Sequence, residues 1–471
     1  MTSTLHNWPF VRQAILAVAA VTALAPLSAA ADPKPNIVVI LGDDIGWGEF
    51  GVQGKRDIPT PHIDSIAIDG VRFTQGYVSG PYCSPTRAGL LSGRYQTRFG
   101  HEFNEGGGAN PNSKFGLPLD QVTLAQRLKD QGYVTAAIGK WHLGAAPQFR
   151  PTARGFDEFY GTLANTPYLH PQLLDSRKAP DPMRVEDESY YTTDAYAERA
   201  VEWIAAHKGK PFFLYLPFNA QHGPLQPPQK YLDRFDAIAN PKRKQFAATL
   251  SAFDDAVGNV LATLKEQKLD DNTLVIFLSD NGGPTQQTTS NNLPLRGHKA
   301  TTLEGGVRVP FFAKWPGKIP AGVVYDHPII QLDIAPTALA AAGVQVDPSW
   351  KLEGVNLLPY LAGDNAAVAH EDLFWRFGDQ WAVRHGDWKL VASREDQNQA
   401  QLFNLAEDKE ELHDLSIDHP EKVAELQALW DAWNADNIPP AWKPKPQNAG
   451  NGQGRQARRR AAATSAAVVQ Q

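Results

Sequence analysis

The chain has one cysteine, Cys83, set between two prolines in the run PYCSPTRAGLLSGRY (81–95), where a helix is expected to begin. A single cysteine cannot close a disulfide within its own chain, so Cys83 is buried and inert, paired with another chain, or chemically active. Acids and cations elsewhere fall in short groups: Asp43 with Asp44, Lys140 with His142, Asn219 with His222, and Asp280 with Asn281, while Arg87 and Lys299 stand apart. Asp43, Asp44, Asp280 and Asn281 offer oxygen donors, the preference of a hard cation such as Ca²⁺ or Mg²⁺ rather than zinc. Lys140, His142, His222, Arg87 and Lys299 carry positive charge or can acquire it. Carboxylates that hold a metal beside such a ring suit an anion with several oxygens, such as a sulfate or phosphate ester. The sulfur of Cys83 fits this poorly, because a thiolate is a soft ligand. A helix N-terminus nevertheless favours an anionic nucleophile there. The conflict disappears if an oxygen replaces the sulfur.

Taken singly, these groups have plainer explanations: Asp-Asn-Gly is a good turn sequence, and a lone histidine is usually structural. Their positions set them apart. NIVVILGDD (36–44), YVTAAIGKWH (133–142), PFFLYLPFNAQH (211–222) and TLVIFLSDNG (273–282) are apolar runs ending in polar residues, as strands buried on both faces would be. Between them, Phe246, Leu250, Phe253, Val257, Val260, Leu261 and Leu264 mark one apolar helical face within 244–268, and 192–208 is a second helix candidate. Alternation of this kind predicts an α/β fold, a large mostly parallel sheet sandwiched by helices, with ligands bound beyond the carboxyl ends of its strands. Each polar group falls at such an end.

From about residue 346 the pattern changes. EDLFWRF, QWAVRHGDWKLV and AQLFNL read as short strands and EKVAELQALWDAWNA as a helix, predicting a smaller antiparallel sheet with a helix packed on it. The expected divisions are a signal peptide (1–31), a catalytic α/β domain (32–345), a C-terminal α+β subdomain (346–446) and a disordered tail (447–471). The signal reading rests on Arg12, the apolar AILAVAAVTALAPL and the small residues SAAAD, with cleavage near Ala30 or Ala31. It predicts a secreted or periplasmic protein whose mature chain has no membrane span. In 471 residues, 20% charged with a formal net charge of −6, nothing suggests a nucleic-acid partner.

The run CSPTRAGLLSGRY resembles the C-x-P-x-R signature of the type I sulfatases, formylglycine-dependent enzymes of arylsulfatase type and alkaline-phosphatase-like superfold, with Cys83, Pro85 and Arg87 in place. DDIGWGEFG (43–51), GKWHLG (139–144), QHGP (221–224), SDNGG (279–283), RGHKATTLEGGVRVP (296–310) and LFNLAEDKEELHDLS (402–416) resemble further blocks of that family, with Glu49 where an aspartate is common. The resemblance implies a sulfatase in which a formylglycine-generating maturation enzyme oxidises Cys83. The hydrate would attack sulfur, pass through a sulfo-enzyme and release inorganic sulfate. It assigns Asp43, Asp44, Asp280, Asn281 and the modified residue 83 to Ca²⁺, with Mg²⁺ possible. Arg87 and His142 would hold and activate the hydrate. Lys140, His222 and Lys299 would grip the sulfate, one of the latter two protonating the leaving alcohol. The expected substrate is a sulfated carbohydrate. Alternatives are a phosphonate monoester hydrolase or phosphodiesterase of the same superfold, or a non-catalytic glycan-binding relative.

Three further expectations concern the surroundings of the site. HEFNEGGGANPN (101–112) reads as a flexible loop near it, PTQQTTSNNLPLRG (284–297) as a segment overhanging it, and Trp375, Arg376 and Trp381 as glycan contacts.

Overall fold

The computed structural model describes residues 1, 2, 4, 33–55, 57–105, 109–363, 365 and 367–443. The chain divides into Met1–Pro33 and Lys34–Gln471, and everything below concerns the second unit. The expected signal segment falls almost wholly outside the described residues, and the expected tail entirely so. Among the described residues no helix is long and apolar enough to cross a membrane.

The runs expected to be buried strands form the middle of a ten-stranded sheet. Asn36–Gly42 lies between Phe212–Pro217 and Thr273–Ser279, parallel to both, and Val134–Lys140 pairs parallel with Phe212–Pro217 on the far side. The sheet is mixed at its edges, where Phe311–Lys314 runs antiparallel to Thr273–Ser279. Two apolar layers explain the unbroken hydrophobic runs. Ile37, Val39 and Leu41 point into one core cluster, and Val38 and Ile40 into the other. Such strands have no solvent face, so their sequences do not alternate.

The helix Pro241–Glu266 presses Phe246, Leu250, Phe253, Val257, Val260 and Leu264 onto the second layer. Phe253 lies 4.7 Å from Phe218 and 5.9 Å from Phe277, ring centre to ring centre. Asn240 caps this helix, accepting from the backbone N–H groups of Lys242 and Arg243, and Pro241 occupies the first turn, where its missing N–H costs nothing. The helix Thr192–His207 contacts it.

The smaller sheet orders Asp372–Phe377, Gln380–His385, Trp388–Ala392 and Ala400–Asn404 as an antiparallel meander, with the helix Pro420–Ala435 against it. The run QWAVRHGDWKLV is two strands, turned at Gly386 with φ +56°.

Candidate active site

Every polar pair named above leaves the carboxyl end of a parallel strand, as the sheet direction requires. Asp43 follows Gly42, Asp280 follows Ser279, Lys140 ends its own strand, and Asn219 and His222 follow Pro217. The backbone is unusual here. Asp44 and His142 adopt positive φ, 68° and 60°, a region non-glycine residues visit rarely and often at functional sites. Gly139 has φ +131°, and a Cβ there would lie 1.9 Å from the Pro217 carbonyl oxygen. Only glycine permits the approach that delivers Lys140 and His142.

Cys83 is the first residue of the helix Cys83–Ser92 and is fully buried. Its Sγ lies 3.5 Å from Asp43 Oδ1 and 3.3 Å from Lys299 Nζ. Asp43, Asp44, Cys83 and Asp280 each offer one atom within 4.8 Å of the others. Asn281 donates through Nδ2 to Asp44 Oδ1 at 2.7 Å, and its buried Oδ1 has no partner among the described residues. A buried, unpartnered carbonyl oxygen beside three carboxylates is what a hard cation would complete, so the donor set fits Ca²⁺ or Mg²⁺.

Positive groups answer these acids. Arg87 reaches Asp280 Oδ2 through Nε at 3.1 Å and Nη2 at 2.8 Å, lies 3.4 Å from Asp43, and donates to the Lys140 carbonyl at 2.7 Å. Lys140 pairs with Asp43 Oδ2, and Lys299 with Asp44 at 2.6 Å. Burial works against every charge in this network, so only mutual pairing sustains it. Burial first, then Asp43, pushes the Asp280 carboxyl up to about 6, a sign that the acids are crowded. Burial and Asp43 also push the Cys83 thiol well above its usual range, so the sulfur stays protonated and is a weak nucleophile as it stands.

Two histidines of the site, His142 and His222, are held towards the neutral form. Burial, then Lys140 and Arg87, hold His142 well below its usual range, and its buried Nδ1 has no partner among the described residues. Burial and Lys299 lower His222 to about 4. His222 Nδ1 donates to the Gly223 carbonyl at 2.8 Å, which leaves Nε2 facing Asp44 at 3.9 Å.

A cavity of about 600 Å³ opens on His222 and Lys299. Pro284 to Gln287, from the segment expected to overhang the site, form part of its wall. From the loop expected near the site, His101 and Glu102 are buried, with His101 Nε2 2.6 Å from Ser84 Oγ; residues 106–108 lie outside the described ones.

Of the three expected glycan contacts, Trp375 is contradicted by its burial, while Arg376 and Trp381 are partly exposed but engaged within the protein. Trp375 is wholly buried, its indole N–H donating to the Val78 carbonyl at 2.7 Å. Arg376 is engaged by Glu102 at 2.8 Å and Asn434 at 2.8 Å, and Trp381 packs on Trp430 at 4.7 Å. None of the three lines the cavity. The small sheet contributes Gln380, Arg394 and Glu395 instead, joined by Tyr82, Asn165 and His298 from the main body. His298 lies in the RGHKATTLEGGVRVP block beside Lys299, but Asn165, Gln380, Arg394 and Glu395 fall in no such block, because they come from turns and strand ends far apart in sequence.

A large, mostly parallel sheet that gathers acids, cations and a buried cysteine at its carboxyl edge makes a site suited to a hard cation and an anionic ester. The family model Sulfatase matches residues 35–344, and that of the N-sulphoglucosamine sulphohydrolase C-terminal region matches 298–432. Bovine (Bos taurus) arylsulfatase A is 37% identical over 402 residues, 78% of this chain and 76% of its own. Human (Homo sapiens) N-acetylgalactosamine-6-sulfatase is 32% identical over 393 residues, 74% of this chain and 73% of its own. The solved structure of Ps i-CgsB in complex with k-i-k-neocarrahexaose superposes with a TM-score of 0.80 at 35% identity, covering 87% of this chain and 94% of that one. The chain belongs to the sulfatase family and is a sulfuric ester hydrolase.

Proposed function

We propose that the protein is an exported sulfatase that removes sulfate from a sulfated carbohydrate, using a formylglycine made from Cys83 by a maturation enzyme. One observation carries the reading: the lone cysteine is buried and wedged between Asp43 and Lys299 in a site otherwise built of oxygen ligands. As a thiol it has no use there. As formylglycine it supplies, when hydrated, a geminal diol, one hydroxyl to attack sulfur and a second through which sulfate is expelled by C–O cleavage.

Asp43, Asp44, Asp280 and Asn281 would hold Ca²⁺, which supplies positive charge against the sulfate oxygens. Asp43, Asp44 and Asp280 are matched one for one by Arg87, Lys140 and Lys299. With a divalent cation on the carboxylates, Lys140 and Lys299 would be free to turn towards an anion. Arg87, held on two carboxylates and a carbonyl, stays in place beside residue 83. His142, neutral with a vacant nitrogen, accepts the nucleophile's proton. Since His222 spends its Nδ1 proton on Gly223, its Nε2 faces the site without one, and Lys299 protonates the departing alcohol.

The cavity wall supports a sugar. Asn165, Gln286, Gln287 and Gln380 offer amides, and Thr285 and Thr301 hydroxyls, a lining suited to a polyol and poor for a steroid or bare aryl ring. The relative Ps i-CgsB was solved with a neocarrahexaose. The test is sulfate release from defined sulfated monosaccharides and oligosaccharides, beside aryl sulfates and phosphate diesters. Faster turnover of sugar sulfates is expected. Turnover of aryl sulfates alone would overturn the carbohydrate reading, and preference for phosphate diesters would overturn the sulfatase assignment.

A further inference from the structure

The cavity has a polar device at its outer wall that none of the catalytic roles uses. His298, next to Lys299 in the chain, directs Nδ1 to the Lys299 carbonyl at 2.8 Å and Nε2 to Glu395 Oε1 at 3.1 Å. The Lys299 carbonyl can only accept, so Nδ1 donates to it, and a proton on Nε2 would make the contact with Glu395 an ion pair. Hydrogen bonding to Glu395 raises the proton affinity of His298, and the same bond lowers that of Glu395. Glu395 comes from the small sheet's side of the cavity, in the turn Arg394–Asp396. Its second oxygen, Oε2, has no hydrogen-bond partner among the described residues, and its side chain remains about one-third exposed.

The neighbouring cation does not offset this carboxylate. Arg394 is spent on Asp379, Nη2 at 2.6 Å and Nε at 2.7 Å. His298 has no N–H left to give. At the outer wall the cations Arg394 and His298 are each paired with a carboxylate, which leaves Lys299 as the cation at the inner end. The outer wall offers a fixed acceptor.

We propose that Glu395, clamped by His298, is a specificity-determining residue that accepts a hydrogen bond from a free hydroxyl on the sugar ring bearing the scissile sulfate. The site then takes a ring whose substituent facing Glu395 is a hydroxyl and excludes one carrying a second sulfate there. A carboxylate gains a charge-assisted hydrogen bond from a hydroxyl, whereas a sulfate brings like charge and no proton. Because His298 is also bonded to the Lys299 backbone, the ring-reading group and the sulfate-gripping lysine are tied into one rigid unit. This inference rests on the sulfated-carbohydrate reading.

The test compares wild type, Glu395→Gln and Glu395→Ala, each with conversion of Cys83 verified and melting temperature measured. The substrates are monosulfated galactoses and N-acetylhexosamines, their disulfated counterparts, and a nitrophenyl sulfate. Losing one hydrogen bond to a charged acceptor is expected to lower kcat/KM on the preferred monosulfated sugar by about 10- to 100-fold, mainly through KM. The loss should exceed that on nitrophenyl sulfate at least tenfold, and the preference for monosulfated over disulfated rings should narrow in both variants. Equal losses on sugar and nitrophenyl sulfates, or an unchanged ratio of mono- to disulfated turnover, would overturn the role of Glu395 while leaving the sugar sulfatase intact. Wild type that cleaves nitrophenyl sulfate and no sugar sulfate would overturn the carbohydrate reading and this inference with it.

Discussion

Around the Cys83 sulfur, each charged group is held by another, so a change at one residue exposes its partner. Asn281 is the simplest probe because its Oδ1 lacks any partner while its Nδ2 is bonded to Asp44. Asn281→Ala is expected to weaken cation binding by at least about 10- to 100-fold, the loss typical of removing even an outer support of a metal site. Titration of the chelator-stripped protein with Ca²⁺, followed by calorimetry, measures this; an unchanged affinity would remove Asn281 from the ligand set. A second prediction concerns pH. Burial pushes His101 down to about 3 from its usual 6.5, so as pH falls from 6.5 towards 3 the unfolded chain takes up a proton that the folded chain refuses. Stability should therefore fall across that window, and His101→Gln should make the fall shallower. Melting temperatures of both proteins between pH 7 and 4 check it, and parallel curves would contradict the shift.

At the scale of elements, the segment that carries Lys299 is anchored by a buried ionic cluster. Lys389, from the small sheet, bridges Glu304 at 2.9 Å and Glu411 at 2.8 Å, and Glu304 begins the short helix that follows the Lys299 segment. Tyr77 donates to Glu304 at 2.8 Å and accepts from Arg384 at 2.7 Å, so this cluster ties the small sheet to the main body. Lys389→Met would leave two buried carboxylates facing each other, with an expected loss of about 3–5 kcal/mol of folding stability. Denaturant unfolding measures it, and a loss below about 1 kcal/mol would mean that Arg308 and Arg384 compensate. Phe253→Ala, which empties the contact between the Pro241–Glu266 helix and the sheet, should cost about 3–5 kcal/mol by the same assay. At the strand end, Gly139→Ala should spare most of the fold yet displace Lys140 and His142, lowering kcat far more than it lowers the melting temperature. Equal, small effects on both would show that the strand relaxes around the methyl group.

Across the whole molecule, legibility followed burial. Strands such as Asn36–Gly42 and Thr273–Ser279 are buried on both faces, so their unbroken apolar runs announced a parallel sheet, and that sheet dictated where Asp43 and Asp280 emerge. The small sheet was harder to read. Its strands alternate, but the sheet packs one face on the main body and the other on the Pro420–Ala435 helix. Alternation alone does not say which aromatic is covered, and Trp375, taken as a surface residue, sits in the core against Tyr77. The cavity wall was illegible for another reason: His298 and Glu395 meet only because two distant turns fold together, and although His298 lies in a quoted block, the turn carrying Glu395 has no pattern of its own. The cysteine was legible as an anomaly and, through the resemblance of its run to the sulfatase signature, as a formylglycine precursor; its burial between Asp43 and Lys299 supports that reading. The first measurement is therefore the mass of the proteolytic peptide containing Cys83, from active protein made in its native host. Loss of the thiol, with an aldehyde trapped by a hydrazide, is the result expected of a formylglycine sulfatase. An intact cysteine in fully active enzyme would contradict it and return the nucleophile to the thiol or to another residue.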